Sequence, residues 1–100
     1  MVGKHIFLSG KVQGVGLRFH THEKAFELSL RGWVRNLPDG RVEIIAYGED
    51  NDMAAFLEWL KTGSSAARVE NIEVLELKRR YYRDDFYIRR DGGPTWPEDS

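Results

Sequence analysis

Cysteine is absent from the 100 residues. That removes a disulfide framework, a thiolate metal site and a cysteine nucleophile together. A basic excess is also missing. Fifteen Lys and Arg face sixteen Asp and Glu, for a formal net charge of -1, whereas domains that live on nucleic acid or anionic membrane carry a clear positive surplus. Long apolar runs are lacking too. Near the start the run is only Ile6, Phe7 and Leu8, short of the about 7–15 residues of a signal peptide or the about 18 of a spanning helix. These absences leave the cytoplasm as the expected compartment, with no membrane or nucleic-acid partner. What is present, 41% hydrophobic and 31% charged residues, suits one compact soluble domain rather than a disordered chain.

Periodicity divides the chain into short elements. Residues 4–12 alternate as a strand, with Ile6, Leu8, Gly10 and Val12 on one face and His5, Phe7, Ser9 and Lys11 on the other. A helical stripe of Leu17, Thr21, Ala25 and Leu28 follows and ends near Ser29. Residues 32–37 and 41–48 read as strands around the turn signal Pro38-Asp39-Gly40. In the second of these, Val42, Ile44 and Ala46 share one face and Glu43 and Ile45 the other. The acidic run 49–52 suits the start of a helix, and Asp50 and Asp52 are expected to cap it. Met53, Phe56, Leu57 and Leu60 then form a core stripe. Gly63-Ser64-Ser65 ends that helix, and residues 69–78 and 86–89 read as strands.

The order β-α-β-β-α-β plus a short final strand predicts an α+β, ferredoxin-like split βαβ fold, with two helices on one face of an antiparallel sheet. Residues 1–90 are the expected domain. Residues 91–100, with two prolines, two glycines and three acids, read as a flexible tail whose Trp96 is a candidate to dock on the open sheet face.

The segment Ser9-Gly10-Lys11-Val12-Gln13-Gly14-Val15-Gly16-Leu17-Arg18 carries the chemistry. A strand ends, glycines permit a tight turn, and a helix begins at once. Successive N–H groups in such a turn converge on an anion, aided by the positive end of the helix. Arg18 adds a planar fork matched to phosphate oxygens. Alone, the pattern is also that of an ordinary structural turn before a helix.

The full string, with Gly32-Trp33-Val34-Arg35-Asn36 and Ala67-Arg68-Val69 further on, closely resembles the acylphosphatase family over about residues 4 to 90. Asn36 follows Arg18 by 18 positions, the spacing of the family. The resemblance implies hydrolysis of carboxyl-phosphate anhydrides to carboxylate and inorganic phosphate by a metal-free, cofactor-free monomer. It implies that Gln13, Gly14, Val15, Gly16, Leu17 and Arg18 bind the phosphoryl group, with Arg18 and Asn36 catalytic. Asn36 would position the attacking water, and the proton would pass to the substrate's own phosphate oxygen. Two positions depart from the family pattern. Leu17 stands where Phe is usual, and Ser29 stands where glycine usually ends the helix. A left-handed Ser29 costs of order 1 kcal/mol.

Other residues carry less. His20 and His22 lie two apart on a helix and cannot chelate one ion together, and His5 has no patterned partner. Asp50 and Asp52 lack the further ligands of a calcium loop. The basic, aromatic stretch Lys78-Arg79-Arg80-Tyr81-Tyr82-Arg83 invites an RNA-binding reading, but Asp84-Asp85 offsets its charge. A second alternative is a module that binds acyl or carbamoyl phosphate without turnover; similar domains open the hydrogenase-maturation carbamoyltransferases, whose other domains this chain has no room for. No residue pattern marks a pocket for a particular acyl group.

Overall fold

Residues 1–78 and 83–91 are described by the computed structural model. Alternation and turn chemistry produce β1 (Val2–Lys11), α1 (Leu17–Glu27), β2 (Arg31–Asn36), β3 (Val42–Gly48), α2 (Asp50–Leu60), β4 (Arg68–Leu77) and β5 (Phe86–Ile88). The five strands form one sheet in the order β4-β1-β3-β2-β5. β1 pairs antiparallel with β3 and β4, and β2 antiparallel with β3. Because β3 lies between β1 and β2, α1 makes a split βαβ crossover.

The sheet is mixed rather than purely antiparallel, since β5 pairs parallel with β2. Leu77 at the end of β4 faces Gly3, and Arg31 at the start of β2 faces Tyr47, so both lie at one end of the sheet. With Phe86 paired to Gly32, β5 begins at that same end and runs in the direction of β2. Three residues of β5 carry no pattern that reveals this direction.

The helices cover one face. Ile6, Leu8, Val34, Ile44 and Ala46 from the strands pack with Leu17, Ala25, Met53, Phe56 and Leu60 from the helices. The other face holds Trp33, Ile45 and Tyr47 and a buried ionic cluster. Glu43 is fully buried, accepts from Arg35 Nε at 2.8 Å and lies 2.6 Å from His5 Nε2. His5 therefore has a specific partner, contrary to expectation. A fully buried carboxylate persists only when its charge is matched in this way.

The helix ends follow local chemistry. Ser29 is left-handed, with φ 57°. Leu30 N–H donates to Ala25 O at 2.9 Å and Ser29 N–H to Phe26 O at 3.1 Å, the paired bonds of a Schellman cap. Asp50 and Asp52 occupy the first turn of α2, but its N-cap Glu49 makes no side-chain capping bond. The acids therefore act through charge at the positive helix end rather than as caps. Among the described residues no helix is long and apolar enough to cross a membrane. Most of the basic stretch 78–83, and the tail with Trp96, lie outside the described residues.

Candidate active site

The site forms where β1 gives way to α1. Gly14 and Gly16 take φ 72° and 73°, torsions that cost side-chain-bearing residues about 1–2 kcal/mol. A Cβ at Gly14 would meet nothing within 4 Å, so torsion alone calls for glycine there. Gly16 is the N-cap of α1. It supplies no side-chain capping bond, and the first turn carries no acid. Its N–H groups and the helix dipole are thus free of a competing side-chain acceptor at a position suited to an anion.

Two braces hold this loop. Gln13 Nε2 donates to Leu37 O and to Arg41 O, each at 2.9 Å. Buried Ser64 donates from Oγ to Val15 O at 3.2 Å. Beneath the loop, Leu17 is buried against the core, the aliphatic plate expected of this residue. The Gln13 amide has two hydrogens, and both are committed to carbonyls. Its side chain braces the loop instead of facing a ligand. The hairpin that receives the brace is itself closed by Asp39. Its carboxylate accepts from Arg41 N–H at 3.1 Å and Arg41 Nε at 2.7 Å, and these bonds hold its carboxyl below the ordinary 3.8.

Arg18 and Asn36, brought from α1 and the end of β2, meet around a single oxygen. Asp91 Oδ1 accepts from Arg18 Nη1 at 2.8 Å and from the Asn36 backbone N–H at 3.3 Å. Both residues line one pocket of about 270 Å³, together with Val12, Gly14, Gly16, Leu17, Phe19 and Ile88. Gln13 and Val15 flank it in sequence and are not part of its lining. Asn36 Oδ1 is buried and has no hydrogen-bond donor among the described residues. A larger depression of about 740 Å³ along α1, walled by Phe26 and Trp59, contains neither Arg18 nor Asn36.

Of the histidines, His20 stands beside Gly16, where an added Cβ would lie 3.6 Å from its ring, and none is part of the pocket lining. His20 Nδ1 is 3.4 Å from Glu23, and the His22 ring is 6.3 Å from that of Phe86. Among the described residues no three His, Asp or Glu side chains gather as a metal site would need. Asp91 and Ser64 are the contributors that sequence reasoning missed. Neither sits in a motif: Asp91 is one acid in an acidic tail, and Ser64 is one of two serines in a loop.

The acylphosphatase family model matches residues 4–88. The chain belongs to the acylphosphatase family. It is 50% identical over 82 residues to the acylphosphatase of Marinobacter nauticus, covering 82% of this chain and 89% of that one. The acylphosphatase of Acaryochloris marina is 55% identical over 69 residues, covering 69% and 74%. The crystal structure of acylphosphatase from Bacillus subtilis superposes with a TM-score of 0.86 at 39% identity, covering 89% of this chain and 99% of that chain. T. kodakarensis HypF also matches, with a TM-score of 0.79 at 35% identity, over 92% of this chain but only 12% of that chain. Acylphosphatases are enzymes, and this chain shares their sequence and α+β fold over most of its length.

Proposed function

We propose that this chain hydrolyses acyl phosphates, with the phosphoryl group held by loop 13–18 and Arg18 and the attacking water positioned by Asn36. One observation carries the reading: the Arg18 guanidinium and the Asn36 backbone N–H, from separate elements, converge on one anionic oxygen, that of Asp91, which leaves the Asn36 side chain for water. A phosphoryl oxygen is the same kind of acceptor for the same two donors.

An acyl phosphate already has a good leaving group. Its phosphoryl charge repels a nucleophile, and in the transition state that charge spreads over the phosphoryl oxygens. Preorganised N–H groups and one guanidinium answer both problems. The Asn36 amide, with one acceptor oxygen and two donor hydrogens, orients water in line with the leaving carboxylate. Its buried Oδ1, without a donor among the described residues, suits that task. The water oxygen bonds to phosphorus as the bond from phosphorus to the acyl oxygen breaks. The water proton passes to a phosphoryl oxygen, because a neutral amide is no base.

In this reading Gln13 and Val15 serve through the loop backbone, and neither metal nor cofactor is required. We read the chain as a cytoplasmic monomer acting on a small molecule, and the absence of a basic surplus, with a net charge of -1, argues against nucleic-acid or anionic-membrane partners. HypF, which matches over a domain-sized part of its length, has been solved in a phosphate- and nucleotide-bound form, and the second reading is an acyl- or carbamoyl-phosphate binding module without turnover. Incubation with benzoyl phosphate separates the two. Release of benzoate and phosphate, inhibited competitively by inorganic phosphate, supports the hydrolase. Binding of phosphate without turnover supports the sensor.

A further inference from the structure

The sheet face turned away from both helices is dry. In a two-layer fold that face meets water, and side chains on it keep part of their surface exposed. Here Ile45 on β3, the middle strand of the five, is 0% exposed, and Trp33 beside it on β2 is 1% exposed. Arg35 lies on the same face, bonded to Glu43 and with its guanidinium 5.3 Å from the centre of the Trp33 ring, yet it too is only 1% exposed. The guanidinium groups of Arg41 and Arg89 shade the rings of Phe7 and Trp33, at 4.6 and 4.7 Å. Flat groups at the margin do not dry a long cation and an isoleucine in the middle. A further layer of chain must lie over them. The described elements do not supply it, because the five strands make the sheet and both helices pack on its opposite face.

We infer that residues 92–100 are this layer, laid back across the sheet face with Trp96 as their apolar anchor. The path follows from where β5 delivers the chain. β5 runs parallel to β2, and Asp91 Oδ1 accepts from Asn36 N–H. The chain therefore leaves at the end of the sheet that carries Arg35, Glu43 and Phe7. The link from β4 to β5 starts from the opposite end, where Leu77 and Arg31 stand. Gly92-Gly93 lets the chain turn back. Trp96, five residues past Asp91, reaches up to about 17 Å from it. Ile45 and Phe7 lie one and two strands from β2, about 5 and 10 Å in the plane of the sheet. An indole ring stacks well on guanidinium groups, and Arg35, Arg41 and Arg89 offer three. Glu98 and Asp99 follow with the complementary charge. The depression along α1 is the rival seat for an apolar anchor, but its Phe26 is 79% exposed, so that groove is wet where the sheet face is dry. The family model ends at residue 88, which makes this cover an addition to the shared fold.

NMR on the parent chain reads the contact without altering it. Nuclear Overhauser contacts are expected from the Trp96 indole protons to side-chain protons of Ile45, Trp33 or Phe7. Contacts to Phe26 or Trp59 instead, or a Trp96 indole with the shifts and mobility of an unstructured peptide, would overturn the inference. So would contacts to the sheet face seen only between labelled and unlabelled copies, which would assign the cover to a second molecule. Trp96→Ala and a chain ending at Asp91 supply a separate readout. In each, the melting temperature is expected to fall by at least about 4 °C, the scale of one packed aromatic ring in a domain of this size. A smaller fall in both variants would contradict the docking. The contacts in the parent chain decide the matter even if a variant is too unstable to purify.

Discussion

Arg18 and Asp91, 73 positions apart, form an ion pair of 2.8 Å at the mouth of the candidate site. The carboxylate holds the guanidinium that the proposed mechanism assigns to the phosphoryl group, so the two anions compete. The pair is partly exposed, and exposed pairs are worth little. Asp91→Asn is therefore expected to strengthen inhibition by inorganic phosphate by about two- to fivefold. Weaker inhibition in that variant would show that Asp91 supports the anion site instead of competing for it.

Arg18→Lys keeps the positive charge and loses the fork that contacts two oxygens at once. Arg18 is partly exposed in the first turn of α1, so the variant stays folded. Turnover of benzoyl phosphate should drop by at least about 10²-fold, the scale of losing one preorganised oxyanion donor. Near-parent turnover in a protein with a parent-like melting curve would remove Arg18 from the site.

Gln13 ties the loop to the hairpin that carries Asn36. β1 and β2 are not neighbours in the sheet, so no strand ladder links the two halves of the site directly. Gln13→Met preserves length and removes both bonds, while Arg41 O still accepts from Leu37 N–H and Leu37 O from Gly40 N–H. The expected result is a loss of about 0.5–1.5 kcal/mol of stability per bond removed. Turnover per folded molecule should also fall about tenfold or more, because misplacement of reacting groups by even about 1 Å is costly. A lowered melting temperature with unchanged turnover would limit Gln13 to a role in stability.

On the opposite sheet face, Glu43→Ala removes the acceptor of Arg35 Nε and the partner of His5. Breaking such a buried cluster costs about 3–5 kcal/mol, readable in a urea titration. Turnover per folded molecule should not change, since this cluster lies across the sheet from the site. A loss under about 1 kcal/mol would mean that water replaces the carboxylate at little cost.

Glu43 also shows where sequence reading stops. Alternation along 41–48 places it on the face away from the helices, correctly, but alternation says nothing about what else stands on that face. Arg35, Trp33 and Tyr47 stand there too, and together they bury it. The buried Leu17 was legible from the helical stripe it opens, and the left-handed Ser29 through the resemblance, because the family usually has glycine at that helix end. The loop glycines were legible because strand, turn and helix signals abut within a few residues, whereas Arg18 and Asn36 stood out only through the resemblance to the family's motifs. Asp91 and Ser64 were not legible. They reach the site only through tertiary contacts between segments distant in sequence.

The division of labour between loop and amide is the centre of this account, and Asn36→Ala tests it most directly. Turnover of benzoyl phosphate and affinity for inorganic phosphate are measured on the same folded preparation. If the loop and Arg18 hold the phosphoryl group and Asn36 only orients water, phosphate affinity stays within a few-fold of the parent. Turnover then falls by roughly 10²–10³, the effect of about 2.7–4 kcal/mol of lost transition-state stabilisation. Normal turnover, or phosphate affinity that collapses in step with turnover, would contradict the assignment.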